Sequence, residues 1–400
     1  MTLPPMIPIA RPWMDDREAA AAVRAIASGW ITQGTEVAAF EREFAAAVGA
    51  SYARAVSNCT AALHLALVAV GVRPGDEVIT VSHSFIATAN AIRYCGAVPV
   101  FVDIELETFN IDPNLIEQAI TPRTRAILCV HQLGVPCDLR CIVDIGRRRG
   151  LPIVEDAACA GGSEIQWENG WERIGKPRGD VACFSFHPRK LLSTGDGGML
   201  TTNDPGLDRQ FALLRQHGMS VPDTVRHASA QVIFEEYSVV GFNYRMTDIQ
   251  AAIGREQLTR LPAIVAQRRL RAGRYTAAIH DVPGISPPVE PAWARTNWQS
   301  YAIRLADRLD QRTVMQRMLE TGVSTRRGVM TMHREPAYPR GSWHCGASGG
   351  VCDHATASGS SCLHRSEVAQ DTTVVLPLYH QMTDDEQDRV VAALQQAVRD

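Results

Sequence analysis

The segment from Val181 to Lys190 reads Val-Ala-Cys-Phe-Ser-Phe-His-Pro-Arg-Lys, an apolar run that delivers a lysine into the turn Leu192-Ser193-Thr194-Gly195-Asp196-Gly197-Gly198. Lysines and arginines number 40 in the chain, and only Lys176 and Lys190 are lysines. Arginine keeps its proton, whereas a lysine whose pKa is lowered by its surroundings can attack a carbonyl carbon and form an imine. Lys190, set between a buried strand and a glycine turn, is the candidate for that chemistry. The competing reading is a surface lysine left over in an arginine-rich composition.

Upstream, Ile153-Val154-Glu155-Asp156-Ala157-Ala158 is an apolar strand that closes on two carboxylates. The C-terminal ends of parallel strands are where open α/β sheets bind ligands. An aspartate that keeps a pyridine nitrogen protonated, paired with a lysine that holds an aldehyde carbon, is what pyridoxal 5′-phosphate (PLP) requires. Asp156 and Lys190 are expected to divide those tasks.

The ordered strings resemble the DegT/DnrJ/EryC1/StrS aminotransferases, which act on keto sugars. The resemblance covers Gly29-Trp30-Ile31-Thr32-Gln33-Gly34, Ser57-Asn58-Cys59-Thr60-Ala61-Ala62-Leu63, Gly75-Asp76-Glu77-Val78-Ile79 and Glu155-Asp156-Ala157-Ala158. It continues through Ser185-Phe186 with Lys190, Gly195-Asp196-Gly197-Gly198 and Gly241-Phe242-Asn243-Tyr244-Arg245. It implies an α/β chain of PLP-dependent transferase fold type I, aspartate aminotransferase-like. Such a chain has a large domain on a mostly parallel sheet and a smaller α+β C-terminal domain.

The same resemblance implies the site. Lys190 is catalytic, and Asn58, Cys59 and Thr60 hold the cofactor phosphate through backbone amides and a hydroxyl. Phe85 stacks on the pyridine ring opposite Asp156, and Ser185 completes the cofactor contacts. Asn243 crosses a homodimer interface to the partner's phosphate, so the active sites are shared. His187, Arg245 and His333 fall at positions expected to face the sugar, and no metal is expected. At Cys159 the chain departs from the family, which often has Gln or His there to tune the cofactor's phenolic oxygen. The implied reaction is transamination of a nucleotide-linked keto sugar, of the 4-keto-6-deoxy type, with glutamate as amino donor. A related dehydratase is disfavoured because those enzymes carry histidine in place of the lysine. A regulatory or sensing protein on the same scaffold is disfavoured because no DNA-binding appendage is visible.

These residues need a scaffold, and the hydrophobic pattern supplies one. Glu36–Val48 has Val37, Phe40, Phe44 and Val48 on one helical face. Ser57 or Asn58 can cap an apolar helix over 61–70, whose first-turn N–H groups make an anion site. Short β-branched runs at 78–81, 98–102, 126–130, 152–156, 181–186 and 198–202 lack alternation, as expected of a sheet covered on both faces. Helices are expected at 114–120 and 139–149 between them, and at 207–217, 246–261 and onward to 278. A change of composition at Asp281-Val282-Pro283-Gly284-Ile285-Ser286-Pro287-Pro288 lies near the domain boundary. The division is placed at 1–262 for the large PLP-binding domain and 263–400 for the small one.

The 400 residues are 46% apolar and 21% charged with net charge -3, which gives no electrostatic footprint for nucleic acid or anionic membrane. No apolar run approaches the roughly 18 residues of a membrane span, and the N-terminus lacks a signal-peptide pattern, so a cytoplasmic location is expected. A Gly/Ser/Cys/His-rich insert at 339–365 contains His344-Cys345, Cys352-Asp353-His354 and Cys362-Leu363-His364. It is read as a surface loop, with a structural zinc or a disulfide as alternatives.

Overall fold

The computed structural model describes residues 5–346 and 362–399. An eight-stranded sheet is ordered Tyr52–Val56, Gly198–Thr202, Val181–Ser185, Ile153–Asp156, Thr124–Val130, Glu77–Val81, Val98–Val102, His344–Cys345. Only Gly198–Thr202 runs against the others, pairing antiparallel with both its neighbours. The inner strands are buried on both faces, which is why they read as unbroken apolar runs.

The expected strands are found, and Tyr52–Val56 is added beside them. The expected helix at 114–120 is instead two short 3-10 turns, Pro113–Leu115 and Glu117–Ala119. The expected pair of helices after residue 246 is one helix, Asp248–Ile279, which runs unbroken through Pro262. Proline inside a helix costs about 3 kcal/mol in isolation. Here Leu261, Ile264 and Val265 around it, and Ala251, Ala252, Ala272 and Tyr275 further out, are all buried. Packing therefore overrides the breaker.

The C-terminal part builds an antiparallel sheet ordered Ile285–Ser286, Tyr301–Leu305, Thr373–Leu376, Arg326–Arg327. It has its own core around Tyr275, Tyr301 and Tyr379. A three-stranded ribbon of Ala294–Arg295, Glu164–Trp167 and Gly170–Arg173 joins the two parts. Within the insert, His344–Cys345 adds a parallel edge strand beside Val98–Val102, and Cys345 is disulfide-bonded to Cys362. Cys352, Asp353 and His354 lie outside the described residues. Among the described residues, no cluster of three or more His, Cys, Asp or Glu is arranged to hold a metal. Nor is any helix long and apolar enough to cross a membrane.

Candidate active site

Phe40, Phe44, Phe184 and Phe186 pack edge to face beneath the end of the Val181–Ser185 strand, with ring centroids 5.0–6.1 Å apart. That aromatic block fixes the strand that leads to Lys190. The turn beyond it is closed by hydrogen bonds from Phe186 N to Gly197 O and from Thr194 N to Phe186 O. Lys190 N bonds back to His187 O at 2.8 Å, and the lysine side chain enters a cavity of about 420 Å³.

The cavity is lined by Asn58, Cys59, Thr60, Phe85, Asp156, Cys159, Ser185, His187 and Lys190. Nine of the residues singled out in the sequence thus share one space, although they come from four separate segments. Three do not line it. Asn243 is exposed and bridges to Gln216. Arg245 bridges to Val56, one step from Ser57, whose N–H donates to Tyr244 O. His333 is turned away from the cavity: Nδ1 lies 2.7 Å from Ser82 Oγ and Nε2 lies 3.0 Å from Glu367 Oε1.

Asp156 ends its strand 5% exposed. Thr88 Oγ1 donates to its Oδ2 at 2.8 Å and Ala158 N donates to Oδ1 at 3.2 Å. Burial pushes its carboxyl above the usual range, while Thr88, Ala158 and Lys190 oppose the rise. Behind it, His131 Nε2 lies 3.1 Å from Glu155 Oε2, and His131 Nδ1 accepts the Cys137 N–H at 3.1 Å. The second contact leaves the proton on Nε2, so His131 donates to Glu155 and locks the strand end that carries Asp156. His83 and His131 are both enclosed beneath the strand ends, outside the cavity.

Asn58 caps the helix Cys59–Ala69 through Oδ1, which accepts from Ala61 N. A side chain at Gly198 would collide with the Asn58 carbonyl and Cys59 N, so a glycine there lets the sheet press against this cap. The first-turn N–H groups of an eleven-residue helix then face the cavity with a hydroxyl, Thr60, beside them.

One expectation is reversed. The sequence reading supposes a lysine whose pKa is lowered. Burial does act in that direction on Lys190, but Cys159, Cys59 and Asp156 outweigh it and hold the amine above its ordinary range. The sulfur of Cys159 accepts from Lys190 Nζ at 3.0 Å. His187 is pushed below the ordinary histidine range by burial and by Arg189, and its Nδ1 accepts the Arg189 N–H.

Sequence reasoning missed Thr88, although it lies one helical turn after Phe85. It also missed Gln299, Ser300, Arg326 and Arg327, which reach the cavity from the C-terminal part. The Arg326-Arg327 doublet on a short strand was a signal available in the sequence.

A cavity with an amine, a buried carboxylate, an aromatic wall and a helix N-terminus fits PLP by donor set and by size. The model of the DegT/DnrJ/EryC1/StrS aminotransferase family matches residues 12–395. The spore coat polysaccharide biosynthesis protein SpsC of Bacillus subtilis is 36% identical over 399 residues, 98% of this chain and 97% of that protein. The aminotransferase TlmJ from Streptoalloteichus hindustanus superposes with TM-score 0.86 at 32% identity, over 98% of this chain and 99% of TlmJ. Spr1654 of Streptococcus pneumoniae in its PMP form (PMP, pyridoxamine 5′-phosphate) gives TM-score 0.86 at 25% identity, over 98% of each chain. The chain belongs to the DegT/DnrJ/EryC1/StrS aminotransferase family and is a PLP-dependent sugar aminotransferase of fold type I.

Proposed function

We propose that this enzyme transaminates a nucleotide-linked keto sugar of the 4-keto-6-deoxy type, with glutamate as amino donor, in a homodimer whose active sites are shared. In the same reading, residues 1–262 form the cofactor-binding unit and residues 263–400 the smaller one. The observation that carries the proposal is the convergence of Lys190 and Asp156 in a cavity that also receives Arg189, Arg326 and Arg327. Guanidinium groups at the wall suit a substrate that carries phosphate and a donor that carries carboxylates. The surface stretch with Val232, Phe234 and Val240, exposed by 85–89%, supports a covered face in a dimer.

When bound, PLP supplies a ring that withdraws electrons from the bond being broken. Lys190 would be the residue that anchors it, and its free amine would move the proton between the two carbons that exchange the amino group. Asp156, held by Thr88 and Ala158, would be the acid that keeps a proton on the ring nitrogen. Asn58, Cys59 and Thr60 would hold the phosphate by backbone N–H and hydroxyl, and Ser185 would add a further cofactor contact. Phe85 would cover one face of the ring, and Cys159 would stand near its phenolic oxygen. His187, Arg245 and His333 are assigned to the sugar side of the site. His333 would bear on the site only indirectly, since its ring pairs with Ser82 and Glu367.

The test is a screen of amino donors against nucleotide-linked keto sugars, followed by mass spectrometry. Amination of a 4-keto-6-deoxy sugar with conversion of glutamate to 2-oxoglutarate is the expected result. Amination of free keto sugars or inososes alone would refute the substrate assignment.

A further inference from the structure

Lys190 Nζ and Cys159 Sγ are 3.0 Å apart, and the two backbones that carry them are clamped from one segment. Asn297, fully buried, donates through Nδ2 to Cys159 O and to Gly161 O, each at 2.9 Å. Two residues on, Gln299 Nε2 donates to Arg189 O at 3.1 Å. Asn297 Oδ1 also accepts from Gln299 N at 2.8 Å, which makes the two clamps a single piece. The contact between sulfur and amine is thus built from both sides.

The groups facing Lys190 come from each element around the cavity. Asp156 ends its strand, Cys59 opens its helix, Cys159 lies on the following loop, His187 and Arg189 share the lysine's own segment, and Asp196 lies in the glycine turn. Burial pushes the thiols of Cys59 and of neighbouring Cys183 well up, so both stay neutral. Asp156 is committed to Thr88 and Ala158. Cys159 is the group in direct contact with the amine.

We propose that Cys159 is a positioning residue for Lys190: its sulfur accepts from the lysine's Nζ and holds that atom over the cavity in the half of the cycle when the lysine is not bonded to the cofactor. The role rests on transaminase chemistry alone and holds whichever sugar is taken. The contact agrees with the direction of the lysine's pKa, which burial lowers and Cys159, Cys59 and Asp156 together raise.

The test uses full-length protein loaded with PMP, in which Lys190 is free. Iodoacetamide alkylation is followed at neutral pH by peptide mass spectrometry. In Lys190→Met, alkylation of Cys159 should slow about tenfold, because the sulfur loses the cation beside it. In Lys190→Arg, which keeps the charge, the rate should stay within about threefold of the parent. Conversely, Cys159→Ser should speed acylation of Lys190 by an N-hydroxysuccinimide ester about tenfold, since more of the amine is then unprotonated. Parent-like alkylation of Cys159 in Lys190→Met would overturn the proposal. So would equal slowing in the Met and Arg variants, which would point to packing in place of charge. Unchanged acylation in Cys159→Ser would overturn it independently of how the lysine variants fold.

Discussion

Thr88 Oγ1 donates to Asp156 Oδ2 at 2.8 Å and itself lies 2.8 Å from Ser84 Oγ, so the segment that presents Phe85 is tied to the acid at the end of the neighbouring strand. The hydroxyl matters because burial pushes the Asp156 carboxyl up and Thr88 pulls it down. Thr88→Val keeps the shape and removes the donor, so the carboxyl should rise further. A carboxylate is needed opposite the ring nitrogen, hence PLP retention should fail at a higher pH than in the parent. At mildly acidic pH the loss should be about 1–3 kcal/mol, roughly tenfold to a hundredfold in Kd. Titration of PLP binding by absorbance across pH checks this; superimposable profiles would contradict it.

The same acid makes a prediction about the protein stripped of PLP. Its folded pKa lies above the unfolded one, so its contribution to stability is present at low pH and disappears as pH rises through the folded value. Asp156→Asn removes that dependence. Stripped Asp156→Asn should melt no earlier than the stripped parent at neutral pH, while gaining less from added PLP. A variant that melts well below the parent without PLP would show that the carboxylate stabilises the fold itself.

Lys176 offers an internal control for Lys190. It sits in an ion pair with Glu172, Nζ 2.7 Å from Oε1, beside the Gly170–Arg173 strand and away from the cavity lining. Borohydride treatment of the PLP-loaded protein should fix the cofactor on Lys190 and leave Lys176 unmodified. Lys190→Ala should lose at least about 10²–10⁴ of kcat, the range of a positioned proton-transfer group. Lys176→Ala should stay near the parent. Peptide mapping that finds label on Lys176 would reverse the assignment.

Lys190, Asp156 and the Asn58 cap were legible because each lies in a short string whose chemistry is local. Thr88, Asn297 and Gln299 were not, since their meaning lies in hydrogen bonds to residues 68, 138 and 110 positions away. Pro262 misled because propensity is a local quantity, whereas the burial that keeps its helix whole is tertiary. The His344–Cys345 edge strand had no period to read in two residues. Burial also gave the wrong sign for the Lys190 pKa, since the sulfur that decides it approaches from another segment.

Gly134 tests the clamp from its far side. Its φ is +97°, and a Cβ there would fall on Asn297 Oδ1 and close to Cys159 O. Gly134→Ala therefore carries both backbone strain and a clash against a fully buried side chain. It should destabilise by about 2–4 kcal/mol, read as a fall in the urea midpoint at unchanged m-value. A neutral substitution would mean that the Asn297 bracket yields easily.

Cys345 and Cys362 are joined across a sequence separation of 17. A closed loop of that size stabilises by about 3 kcal/mol through the unfolded chain. Cys345→Ser should lower the denaturation midpoint accordingly in the absence of reductant, and dithiothreitol should bring parent and variant together. A difference that survives reduction would instead reflect packing of the buried Cys345 side chain.

Asn243 tests the proposed sharing of active sites between two subunits. Within one chain, Tyr244 O accepts the Ser57 N–H and Arg245 bridges Val56, so Asn243 is near the Ser57–Thr60 turn of its own chain yet exposed and outside the cavity lining. Two arrangements are open to it: service to its own site, or to the partner's. Lys190→Ala and Asn243→Ala, each impaired alone, separate them when mixed and allowed to exchange subunits. If Asn243 serves its own site, each site in the hybrid lacks one residue and no activity returns. If it serves the partner's, one hybrid site pairs an intact Lys190 with an intact Asn243. With random exchange half the dimers are hybrids and half their sites are whole, so activity should return to about a quarter of the parent's. Recovery near that level, absent when exchange is blocked by cross-linking, is the expected outcome; no recovery despite proven exchange would place Asn243 in its own site.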